Sequence, residues 1–221
     1  MPARRTNRRP FSDQPVPASD RHALRRAALD EGVWLHVVEN PAEREAVRRI
    51  VARAQARQLA DPAFREELRR WVGGPPGRRD GIPYSALGPM PESVDVWVRH
   101  FGTAVGHDPP PAEVMTGTDG KTFEAEPMIA MLIPHLFGPD ADVQAGQALQ
   151  RVLLTATANG LATSFLSQAV EVPETREDLR RLLGSTRSPV AVLRIGYGWP
   201  VPATPRREVA DLLLPSADVV T

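Results

Sequence analysis

The residues best suited to chemistry are arginines. Arg4-Arg5-Thr6-Asn7-Arg8-Arg9 gathers guanidiniums and a hydroxyl within a few positions, the donor set that grips a phosphate monoester through charge-assisted, often bidentate hydrogen bonds. The same string also describes a solvated basic terminus, and composition alone leaves both open. A second pair, Arg206-Arg207, carries the same ambiguity. No other residues form a recognisable catalytic set. His22, His36, His100, His107 and His135 lack metal-ligand spacing. Glu66-Glu67 is interleaved with arginines as on a charged helix face. Gly196 and Gly198 open no glycine-rich turn of the dinucleotide or P-loop kind. Trp34, Trp71, Trp97 and Trp199 read as core or interface anchors rather than stacking platforms for bases. No side chain stands out as acid or base, so catalytic residues are left unassigned.

The composition narrows the function class. Among 221 residues, 27 basic and 27 acidic side chains cancel, so no global field draws the chain to nucleic acid or an anionic membrane. Any anion site must be local. Lys121 is the only lysine, and planar arginines suit phosphate capture. With no cysteine, disulfides, thiolate metal ligation and thiol catalysis are excluded. The longest apolar run, Met128 to Phe137, is well short of the ~20 residues that span a bilayer, and the basic start has no secretory apolar core. A cytoplasmic location is expected, with neither membrane nor nucleic acid as partner.

The elements that must position these residues follow from the apolar pattern. A helix capped by Ser19 or Asp20 should carry Leu24, Ala27, Ala28 and Leu29 on one face, with a strand from Val33 to Glu39 after it. Asn40-Pro41-Ala42-Glu43 is a helix start, in which Asn40 accepts from first-turn amides and Glu43 closes the box. Asp61-Pro62 restarts that helix, with Phe64, Leu68, Trp71 and Val72 on its buried face. Residues 73–127 are dense in Gly and Pro around an apolar island from Val94 to Phe101, the pattern of a lid, arm or loop. Met128 to Ile133 reads as a strand buried on both faces. A helix opened by Asp140 or Asp142 and stopped at Asn159-Gly160 follows, then a short helix from Pro173 to Leu183 closed by Gly184. Val190 to Ile195 is a last buried strand, and 199–221 a carboxyl-terminal tail. Strands and helices separated by long excursions predict a single α+β domain over 1–221.

Set in that order, the arginine string resembles the amino-terminal Arg-Arg-Ser/Thr-x-Arg motif of the nitroreductase family, and of its Acg branch in particular. Ala145 to Ala156, continued through Gly160-Leu161 and Ser164-Phe165-Leu166-Ser167-Gln168, looks like that family's long central helix and the loop passing its flavin ring. Leu193-Arg194-Ile195-Gly196-Tyr197-Gly198 and Pro205-Arg206-Arg207 complete the likeness, which covers 1–39 and about 128–213. It implies an α+β fold with a mixed sheet flanked by helices, a long central helix, and 73–127 as an irregular lid or arm.

The resemblance also implies a function. It makes the chain an FMN-dependent oxidoreductase that takes electrons from NAD(P)H and reduces a small nitro, quinone or enone acceptor. Arg4, Arg5, Thr6 and Arg8 would hold the FMN phosphate and ribityl chain, Leu166, Ser167 and Gln168 would lie along the ring, and Arg206 and Arg207 would meet the phosphate. Between Ala28 and Trp34, however, the family's Pro-Ser-x-x-Asn-x-Gln-Pro-Trp loop is replaced by Leu29-Asp30-Glu31-Gly32-Val33. The chain thus resembles the carboxyl-terminal half of an Acg-type protein, expected to pair as a homodimer or with a second nitroreductase-like half. The alternative is a non-catalytic flavin-binding or partner-binding module lacking half of the pocket.

Overall fold

The computed structural model describes residues 3–73, 78–87, 97–99, 101, 123–124 and 126–213. Four strands form one sheet: β1 (Val33–Val37), β2 (Met128–Pro134), β3 (Ala162–Phe165) and β4 (Ala191–Gly196), in the order β1-β2-β4-β3. All neighbouring strands pair antiparallel, with Leu35 opposite Leu132, Ala130 opposite Leu193 and Ser164 opposite Arg194. Among the described residues the parallel component beside this sheet is the bridge from Thr6 to Thr163. The central strands β2 and β4 are buried along nearly their whole length, as a sheet covered on both faces requires.

Helices cover both faces. On one lie α1 (Ala18–Leu29) and α4 (Pro139–Ala158), whose Leu24, Ala28, Ala148 and Val152 pack on Leu35, Ala130 and Leu193. On the other, α2 (Pro41–Ala60), α5 (Gln168–Glu171) and α6 (Pro173–Leu182) place Val47, Ile50, Ala169 and Leu179 against Ile129, Met131 and Val192. Each fully buried aliphatic side chain contributes about 1.5–3 kcal/mol. A third, smaller cluster joins Leu68 and Val72, at the end of α3 (Pro62–Trp71), to Phe101, with Phe64, Ile82 and Leu87 around them.

The local signals explain most element ends. Asn40 Oδ1 accepts from the Ala42 and Glu43 amides at 2.8 and 3.3 Å. Asp61 caps α3 through the Ala63 amide at 2.8 Å, which divides the helical stretch at the expected place. Gly160 and Gly184, at φ of +72° and +57°, take the left-handed positions that stop α4 and α6.

Several expectations need correction. The start of α1 is Ala18, after Pro17, with no side-chain cap; Asp20 instead accepts from Asn159 Nδ2 at 3.1 Å, drawn to the end of the adjacent α4. Glu43 does not close a box, because its carboxylate meets His36 Nε2 at 2.7 Å. Neither Asp140 nor Asp142 caps α4; the cap is Gly138 at φ +84°, and both acids sit in the first turn, where the helix dipole favours them. Trp71 is 44% exposed rather than core, its ring 5.8 Å from the Arg78 guanidinium carbon. Phe165 ends a strand, β3, where a loop was expected.

Of the expected arm at 73–127, residues 74–77, 88–96, 100, 102–122 and 125 lie outside the described residues. The described island is buried at Trp97, Val98 and Phe101. In the tail, 214–221 lie outside the described residues, and Arg79 pairs with Asp211 at 3.0 Å. No helix among the described residues is long and apolar enough to cross a membrane.

Candidate anion and cofactor pocket

The arginine string runs as an extended segment along the β3 edge of the sheet. Thr6 bridges Thr163, the Asn7 amide donates to the Thr163 carbonyl at 2.8 Å, and Ser12 N donates to the Tyr197 carbonyl at 2.8 Å. Asn7 Nδ2 donates to the Trp199 carbonyl at 2.9 Å, while its Oδ1 accepts from Arg9 N at 3.0 Å. Two glycines make this path possible. A Cβ on Gly198 would come 2.5 Å from Asn7 Nδ2 and 2.9 Å from the Phe11 ring, and one on Gly196 would come 2.9 Å from the same ring.

A buried ion pair locks the segment. Arg194 on β4 is fully buried and its Nε donates to Glu124, whose side chain is only 3% exposed. Arg194 Nη2 also donates to the Arg9 carbonyl at 2.8 Å, and Glu124 Oε2 accepts from the Phe11 amide at 2.8 Å. The Phe11 ring lies 3.7 Å from the guanidinium carbon. Burial pulls the Arg194 guanidinium below its usual range against the opposing charge and hydrogen bond of Glu124, as expected when both partners leave water.

In an extended chain successive side chains point to opposite sides, and this sorts the motif. Thr6 and Arg8 face a pocket of about 310 Å³. Arg5 and Asn7 instead line a recess of about 300 Å³ with Gly160, Gly198 and Trp199. Arg4 lines neither; its carbonyl accepts from Arg5 Nη1 at 2.9 Å.

The larger pocket has three walls. One is Thr6 and Arg8; the second is Ser164, Phe165, Ser167 and Glu171; the third is Phe64, Glu67, Leu68 and Trp71 of α3 together with Val72, Ile82, Arg99 and Phe101. Arg8 is largely buried there and poorly satisfied. Its Nη1 reaches the Ala86 carbonyl at a marginal 3.4 Å and its guanidinium carbon lies 5.5 Å from the Phe101 ring. No carboxylate pairs with it among the described residues. Burial, reinforced by the charge of Arg99, brings its pKa down to about 10. Arg99, in contrast, is held by both oxygens of Glu171, at 3.2 and 2.7 Å, and by Gln58 Oε1 at 2.9 Å. Burial would raise the Glu171 carboxyl, but the Arg99 bond and charge and the Gln58 bond outweigh it, leaving it below the ordinary range.

The remaining sequence candidates divide. Ser167 lines the pocket. Leu166 contributes no side chain to it, being fully buried in the second core with its amide donating to the Val192 carbonyl at 2.9 Å. Gln168 is fully buried, and neither polar atom of its side chain has a hydrogen-bond partner among the described residues. Arg206 and Arg207 are exposed and do not line the pocket; Arg206 bonds locally to Thr204 and to the Pro205 carbonyl. Sequence reasoning missed Arg99, Glu171, Arg194 and Glu124. The only trace of Arg99 was a charge inside the apolar island Trp97-Val98-Arg99. Among the described residues no group of three or more His, Asp or Glu could hold a metal.

The pocket offers a ligand a largely buried guanidinium with no carboxylate partner among the described residues, hydroxyls and aromatic walls, with the carboxylates of Glu67 and Glu171 also in its lining; the buried Gln168 amide does not line it. Comparison with known proteins shows the family and the fold. The nitroreductase family profile matches residues 2–197. The Mycobacterium tuberculosis protein Rv3131, provisionally named an NAD(P)H nitroreductase, is 31% identical over 96% of this chain and 60% of its own length. The acg protein of the same organism, provisionally named likewise, is 28% identical over 95% and 61%. The chain therefore spans about 60% of the length of these curated relatives. A nitroreductase with bound FMN from Desulfitobacterium hafniense shares the fold with a TM-score of 0.54 at 15% identity, covering 96% of this chain and 94% of that one. NfrA2 of Bacillus megaterium does so with a TM-score of 0.55 at 11% identity, over 97% and 72%. On that family match, which covers most of its length, the chain belongs to the nitroreductase family.

Proposed function

We propose that this chain binds FMN through its arginine segment and forms part of an FMN-dependent oxidoreductase that uses NAD(P)H to reduce a small nitro, quinone or enone acceptor. The observation that carries the reading is Arg8, a largely buried guanidinium that faces the pocket and forms no ion pair among the described residues, Glu171 in the same lining being taken by Arg99. A buried cation of that kind is costly unless an anion completes it. Names of similar proteins support the flavin and the electron donor: a structural relative carries bound FMN, and the curated relatives are provisionally named NAD(P)H nitroreductases.

In this reading Arg8 and Thr6 hold the phosphate, and Ser167 with the backbone of Leu166 and Gln168 lies along the ring, the fully buried Gln168 side chain standing outside the pocket. Arg4, Arg5, Arg206 and Arg207 would join only through a partner subunit or a rearranged tail, since they stand off the pocket in the single chain. The chemistry FMN supplies when bound is two-electron transfer between NAD(P)H and the acceptor. The protein's part is to hold the phosphate, orient the ring with the walls from β3 and α3, and keep water from its buried edge.

A second reading has its own observation. The connection from α1 to β1 is a tight turn, Asp30 to Gly32, with Gly32 at φ +69° and Arg151 paired to Asp30 and Glu31 at 3.1 and 2.8 Å. It leaves no length for a loop that would embrace a flavin in a partner subunit. A homodimer would then lack one wall, and the chain would act as a flavin-holding module or pair with a second nitroreductase-like unit.

The deciding experiment is the absorption spectrum of the purified protein, chromophore release on denaturation, and bleaching of bound flavin by NADPH or NADH. Stoichiometric FMN that bleaches supports the oxidoreductase. FMN that binds without bleaching supports the holding module, and a protein that takes up no FMN refutes both.

A further inference from the structure

Strand β1 is an outer edge of the sheet, on the side away from β3 and the arginine segment, and no described element pairs with its free side. Which groups lie on that side follows from the pairing with β2. Val38 N donates to the Ile129 carbonyl at 2.9 Å, and the register sets His36 opposite Met131 and Trp34 opposite Ile133. Hydrogen-bonded positions alternate along an antiparallel ladder, so Trp34, His36 and Val38 spend their backbone groups on β2. Val33, Leu35 and Val37 turn theirs outward. The side chains of those three are buried in the first core, whereas Trp34 is 55% exposed. Edge strands are commonly guarded against pairing by a charge, a proline or a bulge. Val33-Trp34-Leu35-His36-Val37 contains no lysine, arginine, carboxylate or proline, and its register with β2 runs without a bulge.

We propose that β1 is the docking edge for a second copy of this chain, joined antiparallel about a two-fold axis at Leu35 so that the two sheets become one. This register sets Leu35 opposite Leu35 of the second copy and Val33 opposite its Val37, and it satisfies every outward N–H and C=O of the strand. Trp34 then stands beside His36 of the second copy at a non-hydrogen-bonded position, where side chains come closest. Charge favours the same occupant. Arg25, with its side chain 43% exposed, pairs with Glu39 by one end of the strand; Asp30 and Glu31, paired with Arg151, lie by the other end. The two-fold brings unlike ends together, so Arg25 of each copy meets the Asp30 and Glu31 carboxylates of the other. The pocket lies by β3, at the opposite edge, so this joint does not rest on the flavin reading and leaves the pocket open.

Residue-resolved amide exchange of the full chain at rising protein concentration, run beside analytical sedimentation, tests the joint. Protection at Val33, Leu35 and Val37 appears only as the protein associates, with Trp34 and His36 protected throughout. Trp34→Lys places a charge beside the joint and weakens association by at least about tenfold, whereas Trp34→Phe keeps most of it. A chain that stays monomeric at every concentration overturns the inference. So does association that leaves the Val33, Leu35 and Val37 amides exchanging fast, the result expected when only a subunit completing the pocket is bound. Protection already present in the dilute monomer overturns it as well, because the chain's own segments would then cover the edge. Thermal unfolding of the dilute variants checks the fold; should Trp34→Lys not fold, the wild-type exchange pattern decides alone.

Discussion

Replacing Arg8 by methionine should make the unliganded protein more stable while weakening its hold on FMN. Burial and the charge of Arg99 bring the guanidinium to about 10, well below its ordinary range. Folding therefore disfavours its charged form by at most about 3 kcal/mol, at about 1.36 kcal/mol per pH unit. Both values lie above neutrality, so the full penalty applies at pH 7 and fades only as pH rises through the folded value. The cation–π contact with Phe101 and the long bond to the Ala86 carbonyl offset about 1 kcal/mol of it, and solvent at the pocket mouth screens more. The net gain on substitution should be about 1–2 kcal/mol, a rise in midpoint of roughly 2–8 °C for a chain of this size. Urea unfolding of the unliganded form measures the first half, and FMN titration the second. Arg8→Met that is less stable than wild type, with the same denaturant slope, would refute the claim that Arg8 is an unsatisfied buried charge. Unchanged FMN affinity would remove it from the site.

Other consequences can be checked separately. Arg194→Ala strands Glu124 in the interior and should cost about 3–5 kcal/mol, whereas the double replacement Arg194→Met with Glu124→Leu should be near neutral in urea unfolding. That double variant should still show faster amide exchange at Phe11, whose acceptor is gone. Gly198→Ala should displace the arginine segment, since its Cβ would meet Asn7 and Phe11, and lower FMN affinity while leaving far-ultraviolet circular dichroism unchanged. Glu171 titrates below its ordinary value, so its contribution is present above about pH 4.3 and is lost as pH falls through the folded value. Acid unfolding of Glu171→Gln should accordingly be less steep there than that of the wild type.

Much of the scaffold could be read before any coordinates. The uninterrupted apolar run of β2, the Asn40-Pro41 start and the Asn159-Gly160 stop each rest on local chemistry, and local chemistry decides them. β3 was hidden because Ala162-Thr163-Ser164-Phe165 has little strand character of its own. It forms because β4 on one side and the Thr6 bridge on the other complete its hydrogen bonds. The pocket divides along the same line. The arginine string was visible as a string, and Thr6, Arg8 and Ser167 do meet in space. That Arg5 turns the other way, that Arg206 stays exposed, and that Arg99 arrives from a Gly/Pro-rich stretch follow from tertiary placement, which no spacing encodes.

The anchoring of the arginine segment at Asn7 and Phe11 sets a parity rule. Even positions Thr6 and Arg8 serve the pocket and odd positions Arg5 and Asn7 serve the opposite recess, so deletion of Arg8 would bring Arg9 to the pocket side while residues 5–7, held at the first anchor, keep theirs. Two-residue changes would preserve the sidedness of whatever they shift. Among related chains, then, the number of arginines in this segment should drift more freely than the odd-or-even interval separating them from the paired glycines' crossing point.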